Sequence, residues 1–335
     1  MRKARFTQSG GVYHVNSRVI EKAFIFDDTE KERMRVLLFQ LAAFSGVRVL
    51  THAFMSNHFH LVLEVPERPS DSVLDEAELI RRLAFLPKAP TAPYTPAEAF
   101  RRELEKCRKS ANAAGVKALC DAVRERLFDL SRFVREYKQR ISQDYNRRHE
   151  RKGTLWEERF HSTLIERDAH SLLHVAGYVD LNPLRAGLCA DPKDYRFCGY
   201  AAAIAGHAGS MEGLARLFAL AGMWGEARTE QALAAYRVLL FGEAAEKPWK
   251  KKENRVCLTE EEISRVRDVG GQVPLVDKLK CRIRFISDGV ALGSQIFIQN
   301  LCCRYQERNR LKNAPGGVSV ESGVGEGWWA LNPVR

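Results

Sequence analysis

Hydrophobic positions along the chain change period several times, and each change predicts an element. Gly11-Val-Tyr-His-Val-Asn-Ser-Arg-Val-Ile20 sets Val and aromatic residues at close spacing and reads as a strand. From Glu30 to Ser45 the apolar residues Met34, Leu37, Leu38, Leu41 and Ala42 fall at helical spacing, opened by Asp27 and Asp28 and closed by Gly46. Two strands follow, Val47 to Met55 and His58 to Val65, with only Ser56-Asn57 between them, which predicts an antiparallel hairpin. After Pro66 and Pro69 the pattern becomes helical. One run covers Val73 to Leu86, then a Pro-rich link leads to a second helix, whose start is marked by the capping box Thr95-Pro-Ala-Glu98.

The main pattern resumes at Leu130 to Tyr145, a helix carrying Phe133, Val134, Tyr137, Ile141 and Tyr145. A strand from Phe160 to Glu166 comes next, and Asp168 can cap a helix from Ala169 to about Leu181, stopped by Pro183. The order β-α-β-β-α-β-α predicts an α+β fold: a ferredoxin-like sandwich with an antiparallel sheet and one extra helix. Residues 70–128 read as a helical insertion in a first domain spanning 1–204. Residues 205–312 read as a helical accessory region, with runs at 211–221 and 229–241 and a second capping box at Thr259-Glu-Glu-Glu262. Leu275 to Ile286 and Gln295 to Arg304 read as two further helices joined by Ser287 to Ser294. That joint is longer than a helix-turn-helix needs, so a plain helical bundle is the preferred reading. Residues 313–335 are Gly-rich and expected to be loose.

Composition narrows the class. In 335 residues, 45% are hydrophobic, enough for a core. No apolar run reaches the ~20 residues of a membrane span, and Met1-Arg-Lys-Ala-Arg-Phe lacks the apolar stretch of a secretory signal. The expectation is a cytoplasmic, nucleoid-associated protein without a membrane partner. The 8 cysteines are scattered and form no Cys-x-x-Cys, so they read as reduced thiols, not as staples or a zinc site. A net charge of +11 points to a polyanionic partner, with nucleic acid first.

Two segments carry candidate chemistry. Along His58-Phe-His-Leu-Val-Leu-Glu-Val65 the side chains alternate, so Phe59, Leu61, Leu63 and Val65 form an apolar face and His58, His60, Val62 and Glu64 the other. Imidazoles at i and i+2 sit about 6.6–7 Å apart at Cα, close enough for both to meet one ion. The plainer reading is an exposed face that happens to hold two histidines. In the helix after Asp168, Leu172, Ala176 and Val179 form an apolar stripe, while Ser171, His174, Tyr178 and Asn182 lie on the other side. There Tyr178 has His174 one turn before it and Asn182 one turn after, and by itself reads as an ordinary amphipathic surface residue, while Asn182 reads as an N-cap before Pro183. Residues 131–160 hold nine Lys and Arg against five Asp and Glu, interleaved with aromatic residues. Such a mixture suits phosphates and stacked bases. Arg147, Arg148, Arg151, Lys152 and Arg159, with Trp156, are the expected DNA contacts, while Tyr137 and Phe160 read as core.

These segments together resemble the single-tyrosine HUH transposases, nearest to the REP-associated tyrosine transposases. The resemblance rests on His58-Phe-His60 after Met-Ser-Asn, Gly153-Thr-Leu-Trp-Glu-Glu-Arg-Phe160, Tyr178-Val-Asp-Leu-Asn-Pro-Leu-Arg-Ala-Gly-Leu188 and Tyr195-Arg-Phe-Cys-Gly-Tyr200, in that order. It covers residues 11–66 and 128–200, and Phe285 to Ser294 is similar to an accessory region of longer members. Gly177 replaces a common Arg, and Cys198-Gly199 replaces a Ser-Ser pair.

The resemblance implies an enzyme. His58 and His60 would bind one divalent ion, Mg²⁺ or Mn²⁺, and Asn182 falls where the family supplies a third ligand, an oxygen. Tyr178 would attack a phosphorus in single-stranded or hairpin DNA, leaving a 5′-phosphotyrosine and a free 3′-OH. A protonated phenol is a poor nucleophile at neutral pH, so it needs help. His174 is a helper on spacing alone. Relatives occur as monomers and as homodimers. The rival reading is a ferredoxin-like sheet that grips nucleic acid without cutting it. Hydrolysis by metal-activated water ranks last, because Glu64 is the only acid on that strand face.

Overall fold

A computed structural model describes residues 8–223, 229–241, 286, 288–309, 317–319 and 329–331. The chain divides into two compact units. One comprises Met1–Ile25, Val49–Leu63 and Trp156–Arg335, the other Phe26–Arg48 and Glu64–Leu155.

The first unit carries the sheet. Its strands are β1 (Val12–Arg18), β2 (Arg48–Phe54), β3 (His58–Glu64), β4 (His161–Ile165), β5 (Ala291–Gly293), β6 (Gly317–Ser319) and β7 (Trp329–Leu331). They lie in the order β2-β3-β1-β4-β5-β7-β6. β2 and β3 are joined by a tight turn in which Met55 N–H donates to the His58 carbonyl at 2.8 Å, so they run antiparallel. β1 pairs antiparallel with β4, from Val12 opposite Ile165 to Asn16 opposite His161. The sheet is mostly antiparallel, with β5 parallel to β4. It is an α+β fold in which both faces of β3 are covered. Phe59, Leu61 and Leu63 are buried as expected, and so are His60, Val62 and Glu64. The face read as a candidate exposed surface is therefore interior.

The helices of this unit begin where their caps predict. α6 (Ala169–Asp180) starts at Asp168, whose carboxylate accepts from the Ser171 N–H at 2.9 Å. It is not a simple amphipathic helix, because Ser171, Tyr178 and Asp180 are buried along with the apolar stripe. α9 (Ala208–Leu220) packs against it. Between them in sequence are the short α7 (Asn182–Arg185) and α8 (Gly199–Ile204). α10 (Thr229–Phe241) packs on α9, and α11 (Gln295–Asn309) packs beside β5. The Cys198-Gly199 departure has a structural account. Cys198 Sγ still caps α8 by accepting from Ala201 N–H, and a side chain at Gly199 would collide with Thr51 Oγ1 on β2.

The second unit is helical: α1 (Asp28–Ser45), α2 (Glu76–Leu83), α3 (Pro96–Lys109), α4 (Ala113–Arg124) and α5 (Leu130–Arg148). α1 is capped by Asp27 and stopped by Gly46 at φ 78°, a left-handed conformation that glycine adopts without strain. The capping box at Thr95 and Glu98 is formed. α1 packs on α5, where the Tyr137 hydroxyl donates to the Met34 carbonyl at 3.0 Å. The unit groups α1 and α5 with α2, α3 and α4, so it does not follow the expected boundaries of an insertion at 70–128.

The C-terminal expectations need correction. Ala291–Gly293, expected as a connector between two helices, is strand β5 on the edge of β4. Its Ala291 and Leu292 are fully buried, so the segment is a sheet strand and not a joint of a helix-turn-helix. Within the tail expected to be loose, β6 and β7 pair with each other, and β7 pairs with β5. Backbone hydrogen bonding at a sheet edge needs little from side chains, which is why a Gly-rich composition did not announce it. Most of Leu275 to Ile286, the second capping box and the basic link 247–252 lie outside the described residues. Among the described residues no helix is long and apolar enough to cross a membrane.

Candidate active site

β3 carries His58 and His60 two residues apart on one face, and their rings lie 5.2 Å apart at an angle of 85°. α6 brings Tyr178 to the same face. Its ring centre is 6.0 Å from that of His60, edge-on at 87°, and the hydroxyl-bearing side chain is buried. So the histidine pair and the tyrosine, 118 positions apart in the chain, meet.

A third imidazole completes the cluster. His14, in the middle of β1, lies 6.0 Å from Tyr178 between ring centres and bonds His60 directly, Nε2 to Nδ1 at 2.9 Å. Its other nitrogen, Nδ1, faces the Ile286 carbonyl at 2.8 Å. Burial holds the His14 imidazole down to about 4, partly opposed by the bond to Ile286. His60 is held well below its ordinary value, first by burial and then by the neighbouring His14 and His58. Both therefore stay neutral near pH 7, the form in which an imidazole nitrogen can donate to a metal. His14 was missed because nothing in Val12-Tyr-His-Val marks it. A sheet order placing β1 beside β3 was the only available signal.

The protonation of the pair is fixed from outside. Asn57 donates its amide N–H to the Lys22 carbonyl at 2.8 Å, which turns its Oδ1 to His58 Nδ1 at 2.6 Å. His58 therefore carries its proton on Nδ1 and its lone pair on Nε2. Two imidazole nitrogens suit Mn²⁺ better than Mg²⁺, since hard Mg²⁺ prefers oxygen ligands. Among the described residues no group of three or more His, Cys, Asp or Glu side chains is gathered for an ion.

Asn182 is placed otherwise than as a metal ligand. It lies within α7 and not at its N-cap, which is Leu181. Its amide N–H donates back to the Tyr178 and Val179 carbonyls, and its Oδ1 accepts from Arg185 at 2.7 Å. The oxygen expected to face an ion thus faces a guanidinium, and both earlier readings of this residue give way to a clamp on the end of α6. His174 is turned to His170. Its ring lies 4.1 Å from His170, and its Nδ1 bonds the His170 carbonyl. An i, i+4 spacing put it near Tyr178 in sequence, but the helix turns its ring toward the preceding turn.

Arg185 lies within the Tyr178–Leu188 motif, and nothing in its spacing assigns it a role. Its guanidinium lies 3.8 Å from the centre of the Tyr178 ring, and it donates to the Tyr178 carbonyl. Arg185 and Arg18 are the positive groups that act on His60.

The expected DNA contacts separate. Trp156 is buried, edge-on to Phe59 at 5.4 Å, and is a core residue. Arg148 is bound to Glu30 through two nitrogens and to Asp144 at 2.9 Å, so its charge is already compensated. Arg147 is exposed and bonds Asp144 at 2.5 Å. Arg151, Lys152 and Arg159 are exposed. Tyr137 and Phe160 are buried, as expected.

No protein-family model matches the chain, and no curated protein matches it. Among solved structures, the chain is similar to one described as "the REP associates tyrosine transposase bound to a REP hairpin". The TM-score is 0.39 and the identity 13%, over 61% of this chain and 86% of that one. At that TM-score the likeness supports no conclusion about this chain's activity.

Proposed function

We propose that the protein is a metal-dependent tyrosine transposase or nickase that cuts and rejoins single-stranded DNA at hairpin-flanked sites. The observation that carries this reading is the meeting of Tyr178 with His60, ring centres 6.0 Å apart, next to His58. The strand order β2-β3-β1-β4, with α1 and α5 as the intervening helices, is the one a ferredoxin-like core would have.

His58 and His60 would hold the ion through Nε2. A divalent ion held there would polarise the scissile phosphate. The chain's own residues supply the rest. The Tyr178 hydroxyl oxygen forms a bond to phosphorus, and the bond from phosphorus to the 3′-oxygen breaks. The phenol's proton passes to solvent, and the departing 3′-oxygen takes one up, leaving a 5′-phosphotyrosine and a 3′-OH. Because the phosphodiester is exchanged and not hydrolysed, a new 3′-OH can reverse the step without ATP. Arg185 holds the ring and offers positive charge over the face of the phenol on which negative charge develops. Exposed Arg151, Lys152 and Arg159 are the phosphate contacts of this reading, without Trp156 or Arg148.

The test is a denaturing gel. End-labelled hairpin oligonucleotide should form a covalent adduct with Mn²⁺ and none with EDTA. Binding without any adduct would leave the rival, a non-cleaving nucleic-acid module, as the better account.

A further inference from the structure

A carbonyl oxygen can only accept a hydrogen bond. The Ile286 carbonyl at 2.8 Å from His14 Nδ1 therefore places the His14 proton on that nitrogen. The neutral ring then has its lone pair on Nε2, which lies 2.9 Å from His60 Nδ1. That lone pair needs a donor, so His60 carries its proton on Nδ1 and its own lone pair on Nε2. The two rings are within 7° of one plane, with centres 5.1 Å apart, the arrangement of an in-plane N–H···N bond and not of face-to-face stacking. With His60 in the other tautomer, two lone pairs would face each other at 2.9 Å.

We infer that the Ile286 carbonyl and His14 form a relay that sets the tautomer of His60, making that carbonyl a working part of the metal centre. His14 is a positioning residue. It acts on the ion through His60 and touches neither ion nor DNA. The relay's far end is itself held. Thr163 Oγ1 on β4 donates to the Ile286 carbonyl at 3.2 Å or the Gly289 carbonyl at 2.6 Å, and His161 Nε2 reaches the Gly289 carbonyl at 2.7 Å. β5 then pairs with β4 at Leu164 and Ile165. Thr163 on β4 thus reaches a carbonyl, the carbonyl fixes His14, and His14 aims the lone pair of His60. Asn57 and the Lys22 carbonyl do the same for His58 from the other side.

The inference rests on the reading that His58 and His60 hold a divalent ion, and its test separates the two. Nitrogen-resolved NMR of the metal-free, full-length protein reports which nitrogen of His60 is protonated, with no metal present. Wild type should show the proton on Nδ1, and finding it on Nε2 would overturn the relay. His14→Phe keeps the ring and loses both bonds, so His60 should lose its single tautomer. Mn²⁺ affinity by titration calorimetry should then fall by about 10–100-fold, as for other groups behind a metal ligand. His14→Gln can donate through its amide nitrogen and accept through its oxygen, so it should restore the tautomer and bring the affinity within a few-fold of wild type. His14→Phe with wild-type Mn²⁺ affinity, where His60→Ala abolishes binding, would sink the relay alone. Wild type that binds no Mn²⁺ would sink the metal reading and the relay with it.

Discussion

The guanidinium of Arg185 lies 3.8 Å from the centre of the Tyr178 ring, while the same side chain donates to the Tyr178 carbonyl and to Asn182 Oδ1. One cation therefore holds the proposed nucleophile by its ring, by its backbone and through the residue that closes its helix. A partly buried cation–π contact of this kind contributes about 1–2 kcal/mol. Where it strengthens by that amount as negative charge develops on the phenol oxygen, Arg185→Ala should slow DNA cleavage by roughly 5–30-fold. Arg185→Lys should recover only part, since an ammonium lacks the planar face. Single-turnover cleavage at saturating DNA measures this, and unchanged rates in both variants would refute the role.

Tyr178→Phe retains the ring between His14, His60 and Arg185 and removes one oxygen. The adduct on a hairpin oligonucleotide should vanish while binding stays within a few-fold. An adduct that persists would move the nucleophile elsewhere, with Tyr145 the next residue to test.

The double variant His58→Ala, His60→Ala should lose cleavage and Mn²⁺ binding together. Calorimetry that still finds the wild-type Mn²⁺ site would remove the pair from the metal centre.

Trp156→Ala should behave as a core deletion and not as a DNA-contact deletion. Its ring packs on Phe59 within the sheet's apolar side, so the loss should be about 3–5 kcal/mol of stability in urea titration. Binding per folded molecule should change little. A stable variant with weak DNA binding would return Trp156 to the interface.

Asp180, two residues after the tyrosine, is fully buried and accepts from Thr51 at 2.9 Å, Tyr200 N–H at 3.0 Å and Tyr236 at 2.7 Å. Burial pushes its carboxyl up to about 6 against those bonds. The folded state therefore binds a proton that the unfolded state releases between about pH 4 and 6, so stability from this residue is present at low pH and falls as pH rises through that window. The phenols and the thiol nearest it, Tyr200, Tyr236 and Cys198, are all raised and stay neutral there. The stability of wild type minus that of Asp180→Asn should drop by roughly 2 kcal/mol between pH 4 and 7. A flat difference would show that the carboxyl is ionised throughout.

Local pattern by itself determined the elements that hold the site. Alternation in His58 to Val65 gave a strand with both histidines on one side. Asp168 and the apolar stripe gave α6 with Tyr178 near its end, and Asp27, Gly46 and Thr95 marked helix ends where they occur. These are short-range effects, set by the backbone period and by hydrogen bonds that a side chain makes within a few residues.

Tertiary structure decided everything that depends on which elements become neighbours. His14 reaches His60 because β1 lies beside β3, and its proton is placed by a carbonyl 272 residues away. Arg148 is taken out of the basic surface by Glu30, 118 residues away, and Asn182 is turned from the histidines by Arg185. β5, β6 and β7 exist because a sheet edge offers hydrogen bonds to backbone of almost any composition. Charge and hydrogen-bond partners at such range leave no periodic trace in a sequence, since only the packed chain sets the distance over which they act.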